Sequence, residues 1–248
     1  MTVSLAAATR PSIYDSESSV PPAEQRFRRS VPGPEKDLVN LFLTSFPVSL
    51  RRNQRATVFV EPRLESGFPD LVVVVWTDSK TKDWAQERMD LTPKDLRVIQ
   101  NLYHCGEQNE SQLVQTHGKD VETSLDRLVL ARMIRKVRGN WRPLALSRNY
   151  AISRLIAIEA KVSEWSVGLE QALLNTWFAS ESYILVPHIP KGSQLLERAE
   201  PLGVGVISNA DMALAKKPTL TPSKHPRSYA SWLFNEWVWR GASTESGS

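Results

Sequence analysis

Gly67 to Trp76 reads GFPDLVVVVW, and Arg154 to Lys161 reads RLIAIEAK. In the first stretch Leu71 to Trp76 is continuously apolar and rich in β-branched residues. It does not alternate, which predicts a central strand covered on both faces. Upstream, Thr57 to Glu61 (TVFVE) is a second apolar run, and the turn-prone PRLESGF between the two predicts a hairpin. Pro34 followed by Glu35, Lys36 and Asp37 marks a helix start, with acids near the positive end of the dipole and an end by Pro47. Downstream, Arg154 to Glu159 is a strand, Ser166 to Ala179 a helix with a wide apolar face, and Ser182 to Pro187 and Val204 to Ser208 are further strands. The order is α-β-β, an insertion, then β-α-β-β, which predicts an α/β protein built on a mixed sheet.

The insertion has a different texture. Thr92-Pro93-Lys94-Asp95 is an N-cap followed by proline, opening a helix to about Tyr103; a short helix follows near Ser111 to Gln115. A third spans Asp120 to Met133, and Gly139-Asn140 then turns IRKVR back into WRPL. Three helices and a hairpin predict a winged helix-turn-helix. The expected organisation is a flexible N-terminal arm over 1–33, a sheet domain over 34–90 and 149–240, the inserted winged helix over 91–148, and a flexible tail over 241–248. The aromatic segment Ser228 to Arg240 is expected to be helical and to pack back on the body.

Composition removes several function classes. The chain has 248 residues, 41% hydrophobic and 23% charged, and its longest strictly apolar run, Leu71 to Trp76, is far too short to cross a bilayer as a helix. One cysteine, Cys105, cannot close an intramolecular disulfide, and no apolar leader segment is evident, so a reducing cytoplasm is the expected compartment and no membrane partner is expected. His104, His117, His188 and His225 lack zinc-ligand spacing, and no Walker loop, GxGxxG or GxSxG occurs. The formal charge of +4 is a mild bias toward anionic partners.

Chemistry concentrates at two strand ends. Side chains two apart on a strand share a face, so Glu159 and Lys161 point one way while Ala160 points into the packing on the other. If the two strands are neighbours, Asp70 joins them. Two carboxylates with a backbone carbonyl, that of Ala160, form an oxygen site suited to magnesium or manganese, and Lys161 can orient an attacking water or offset charge on an attacked phosphate.

Pro69, Asp70, Glu159 and Lys161 in this order resemble the PD-(D/E)xK, or restriction-endonuclease-like, nuclease superfamily. The resemblance implies an αβββαβ core, with GFPDLVVVVW as its second strand and RLIAIEAK as its third. It also implies a glutamine in the next helix, matched by Gln171, and an acid from the first helix, for which Glu35 is the choice and Asp37 the alternative. Glu61 is another candidate. The sequence departs from the simple pattern in placing Asp70 and Glu159 89 positions apart, a separation the insertion explains.

The inserted module is expected to read DNA. Its third helix offers Thr123, Ser124 and Arg127, and Arg132, Arg135, Lys136, Arg138, Arg142 and Arg148 follow with no acidic residue between them. Trp141 follows the wing turn, where packing under the hairpin competes with stacking on a base. The function expected from the sequence is a magnesium-dependent DNA endonuclease hydrolysing phosphodiesters without a covalent intermediate, as a homodimer or within a larger nucleoprotein assembly. The alternatives are an inactive nuclease-fold DNA-binding or assembly protein, and a winged-helix transcription regulator.

Overall fold

The computed structural model describes residues 10–18, 26–46, 48–189, 192, 194–210, 213–216 and 225–245. In chain order the elements are Ser12–Tyr14 (β1), Pro34–Ser45 (α1), Arg55–Val60 (β2), Leu71–Trp76 (β3), Pro93–Cys105 (α2), Gln108–Asn109 (β4), Glu110–His117 (α3), Val121–Leu130 (α4) and Ile134–Val137 (β5). There follow Asn140–Pro143 (β6), Leu146–Asn149 (α5), Ile152–Ala160 (β7), Trp165–Asn175 (α6), Glu181–Val186 (β8), Leu195–Ala199 (α7), Gly205–Ser208 (β9), Ala213–Lys216 (β10) and Tyr229–Glu245 (α8). The chain divides into two compact units, 1–76 with 153–225 and 77–152 with 226–248.

The first unit is built on a seven-stranded mixed sheet in the order β1-β2-β3-β7-β8-β9-β10. β2 and β3 pair antiparallel from Arg55 opposite Trp76 to Val60 opposite Leu71, the hairpin that their intervening turn residues predict. Every residue of β3 is buried, because it lies third in the sheet and is covered on both faces. Leu38, Val39 and Phe42 of α1 close one face over Val58, Leu71, Val73, Ile156 and Ile158. Leu169 and Ala172 of α6 and Leu195 and Ala199 of α7 close the other over Ile184, Val186 and Val206. Each large apolar side chain among them contributes about 1.5–3 kcal/mol on burial, so the two helical layers fix which residues of β7 face which way.

Two features of this unit correct the sequence reading. The N-terminal segment is not a free arm throughout: Ser12–Tyr14 pair in parallel with Thr57–Phe59, and Phe27 bridges Pro62. Three edge residues pairing in register are too few to show a period, which is why the strand is illegible in the sequence. Residues 1–9 and 19–25 of that expected arm lie outside the described residues.

The second unit contains α2, α3 and α4 followed by the β5–β6 hairpin, whose small sheet has the order β4-β6-β5. Its boundaries run wider than 91–148, and it takes the C-terminal helix that the sequence places with the sheet domain. The reason is packing. Trp232 of α8 stacks on Tyr103 at 5.2 Å and meets Tyr150 edge-on, while Arg88 donates to both carboxylate oxygens of Glu236 at 3.0 and 2.5 Å. Arg240 donates to the carbonyls of Arg88 and Leu91. The helix continues to Glu245, so the expected flexible tail is helical over most of its length, and 246–248 lie outside the described residues. α4 also stops at Leu130, three residues short of the expected end, because Arg132 adopts a left-handed φ of 54°. Among the described residues, no helix is long and apolar enough to cross a membrane.

Candidate active site

Asp70 stands immediately before β3, and Glu159 stands one residue before the end of β7. These strands are neighbours. Ser153 Oγ donates to Val75 O near one end of the pair, and Ala160 N donates to Asp70 Oδ2 at 2.8 Å at the other, so the strands run antiparallel and the start of β3 meets the end of β7. Ala160 faces the α1 side of the core. Glu159 faces α6, where Asn175 Nδ2 donates to its Oε1 at 2.6 Å. Lys161 N donates to Leu185 O at 2.9 Å, which carries the β7–β8 pairing one step past the strand, and Lys161 Nζ lies 3.4 Å from Glu35 Oε1 in the first turn of α1.

The site is short of positive charge. Burial and the neighbouring Asp70 carboxylate push Glu159 up to about 8, against the pull of Asn175 and Lys161. Asp70 is raised as well, first by burial and then by Glu35 and Glu61, with the Ala160 N–H and Lys161 pulling the other way. The two carboxylates crowd one another, and a cation between them would relieve that repulsion.

The donor set fits a hard divalent ion. Among the described residues, no three Asp, Glu, His or Cys side chains gather into a metal-holding cluster, so an ion held by Asp70 and Glu159 takes its other ligands from backbone, water or substrate oxygens. Magnesium, which keeps several waters, suits such a set. Glu35 is half exposed and engaged with Lys161 rather than gathered with the two acids.

α6 shapes the site from above. Gly168, Gln171 and Asn175 lie on one helical face. A Cβ at Gly168 would stand 2.5 Å from Lys161 Cγ and 2.7 Å from Ile184 Cδ1, so glycine is what lets the helix cross the lysine stem. Gln171 Oε1 is buried and makes no hydrogen bond, an acceptor held in reserve between the residues that touch Lys161 and Glu159. Sequence reasoning misses Asn175, although it follows Gln171 by four positions and so shares its face. It misses Arg28 too, which no periodicity marks. The Arg28 N–H donates to Glu61 O, its guanidinium pairs with the Glu61 carboxylate, and Nη2 lies 3.8 Å from Asp70 Oδ1. Glu61 itself has φ of 49°, a left-handed conformation unusual outside glycine and often found at functional positions.

The residues expected to contact DNA divide into two groups. Ser124 is buried and Arg127 is half-buried: both hydrogen-bond Asp95 of α2, with Arg127 donating from Nε and Nη2 at 2.8 and 2.9 Å. They brace α4 against α2 and do not face outward. Thr123 is exposed, but its exposed neighbours on α4 are Glu122, Asp126, Val129 and Leu130. Arg135, Lys136 and Arg142 of the hairpin strands are exposed as expected, and so are Arg132 and, at the hairpin turn, Arg138. Arg135 and Arg142 are direct cross-strand partners, a like-charge pairing that costs energy unless an anion lies over it. Lys136 pairs with Glu110 at 3.2 Å and lies 4.9 Å from the ring of Trp141, whose buried Nε1 makes no hydrogen bond.

No family model, no curated protein and no solved structure matches the chain.

Proposed function

We propose that the chain is a divalent-cation-dependent deoxyribonuclease of the PD-(D/E)xK kind, with the first unit hydrolysing phosphodiesters and the winged-helix-like second unit holding DNA. One observation carries the reading: the half-buried Asp70 and the buried Glu159 stand at neighbouring strand ends, where the Ala160 N–H donates to Asp70 Oδ2 and Lys161 follows next in the chain. A scaffold has no use for a buried acid whose pKa a neighbouring carboxylate raises further. A phosphodiesterase does, because a magnesium or manganese ion there supplies Lewis acidity at the attacked phosphate.

The chain's own residues then have definite tasks. Asp70 and Glu159 would hold the cation at the two strand ends. Lys161, pinned between α6 and Glu35, sets its ammonium to orient the attacking water and offset charge on the phosphate. Water oxygen forms the new bond to phosphorus, the bond to the departing sugar oxygen breaks, and the proton lost by water balances the one that oxygen gains. Purified chain incubated with end-labelled linear, nicked and branched DNA in Mg²⁺ or Mn²⁺ is expected to cleave, and Asp70→Ala and Lys161→Ala to bind without cleaving. Equal cleavage by the variants, or none by the wild type under every condition, overturns the reading.

A second reading concerns the second unit alone. The outer surface of α4 pairs two acids with Val129 and Leu130, 42% and 59% exposed, which favours docking on another protein over entry into a major groove. In that case DNA is held by the β5–β6 arginines and α4 binds a protein of the same assembly.

A further inference from the structure

The Asp70 carboxylate of the candidate site lines a cleft of about 480 Å³ in the first unit, together with Asp15, Glu17, Glu35 and Glu61. Such a wall repels a polyanion. A phosphodiester can approach Asp70 only where fixed positive charge offsets that field; Arg28 and Lys36 line the same cleft, and of the two it is Arg28 that lies beside Asp70.

Arg28 is held unusually firmly for a residue outside any long element. Its N–H donates to Glu61 O, Arg63 N donates to Arg26 O, and Phe27 bridges Pro62, so the backbone on both sides is fixed to the segment that leads from β2 toward Asp70. The guanidinium spends Nε on the Glu61 carboxylate and lies 5.4 Å from the centre of the Phe68 ring. Nη2 approaches Asp70 Oδ1 only to 3.8 Å, beyond hydrogen-bond distance, and the side chain remains 52% exposed. Most of a five-donor fork is therefore available beside the reacting centre. That fork matches the paired oxygens of a phosphate.

We infer that Arg28 is the phosphate-positioning residue of this site, holding the backbone phosphate of the bound strand against the Asp70 carboxylate. Glu61 is the brace that aims it, and its left-handed backbone is the local cost of that aim. The inference rests on the phosphodiesterase reading for its substrate but concerns binding, and so can fail separately.

The test measures affinity of the full chain for a short DNA duplex in Ca²⁺ across a salt series, by fluorescence anisotropy, for wild type, Arg28→Gln, Arg28→Lys and Glu61→Gln. A residue neutralising one phosphate contributes about 0.9 to the slope of log affinity against log salt. Arg28→Gln is expected to lower the slope by about that amount and the affinity by about tenfold, Arg28→Lys to keep the slope while losing part of the affinity, and Glu61→Gln, which loosens the aim of Arg28 but leaves its charge, to keep the slope while losing a smaller part of the affinity. An unchanged slope in Arg28→Gln, or the same loss in Glu61→Gln, makes Arg28 a structural partner of Glu61 and overturns the inference. Thermal unfolding of each variant separates a folding defect from a weakened grip on phosphate. If the wild type binds but never cleaves in Mg²⁺ or Mn²⁺, the nuclease reading fails while the salt result still decides the role of Arg28. Absence of any DNA binding overturns both.

Discussion

At the scale of single residues, the raised Glu159 carboxyl makes the protein's stability depend on pH in an unusual direction. An unfolded glutamate ionises near 4.5, whereas Glu159 keeps its proton until about 8, so between those values the folded state binds more protons than the unfolded state. Stability of the cation-free protein is therefore expected to fall as pH rises through that window, by about 1.4 kcal/mol per pH unit for one retained proton. Denaturant titrations in EDTA between pH 5 and 8 read this directly, and a flat profile contradicts it. Mg²⁺ is expected to bind with release of about one proton near neutral pH, seen as a buffer-dependent binding heat. Gly168 makes the second prediction at this scale. Gly168→Ala places a methyl group against the middle of the Lys161 side chain, which cannot swing aside as its tip could. Cleavage is expected to drop about tenfold or more with DNA affinity retained, at a stability cost of about 1–3 kcal/mol. Unaltered turnover would show that the position of Lys161 does not matter.

At the scale of elements, what the sequence discloses follows how much each element's own pattern decides its fate. β3 is legible because six consecutive buried residues permit no other strand position, and α2 because Thr92, Pro93 and Asp95 mark its start, where a capping box forms. Asp70, Glu159 and Lys161 are legible because chemistry-bearing residues at strand ends stand out against apolar runs. Ser124 and Arg127 mislead for the opposite reason. A polar residue on a helix looks outward-facing until its partner is known, and the partner here, Asp95, lies on another helix. Burial works against the Asp95 carboxylate, yet hydrogen bonds from Arg127, Ser124 and Thr92 hold it below the usual range. α8 is recognisable as a helix but not by the unit it joins, since Glu236 gives no sign in sequence that Arg88, 148 positions earlier, is its counterion. Both side chains of that pair are only 1% exposed. Glu236→Leu alone is expected to cost about 3–5 kcal/mol by stranding the guanidinium, and the double variant Arg88→Met with Glu236→Leu to recover much of the loss. Chemical denaturation of the two variants measures the difference, and equal stabilities would remove the pair as the anchor of α8.

At the scale of the whole molecule, two surfaces of the second unit make separable predictions. Replacing Arg135 and Arg142 together with glutamine is expected to lower the salt slope of DNA binding by up to about two units, roughly one for each phosphate that the pair neutralises. Replacing Val129 and Leu130 with serine is expected to leave that slope unchanged and to weaken any association with a partner protein. Reversed results would move the DNA surface from the hairpin to α4. The mild net charge of +4 conceals this arrangement, because an acid-lined cleft in one unit offsets an arginine-bearing hairpin in the other.

The two units alternate along the chain, 1–76, 77–152, 153–225 and 226–248. The polypeptide consequently crosses from one to the other three times, and no single peptide-bond cleavage can release either as an intact fragment. A protease acting near residue 77 or 152 would leave two pieces that stay associated until denatured, because at least one core is built from both. Proteolytic nicking should therefore be visible on a denaturing gel and invisible to size-exclusion chromatography. Ribosomal synthesis runs the same order forward: the last strand of the seven-stranded sheet precedes α8, so the sheet bearing the candidate active site can close while the other unit still awaits its final helix.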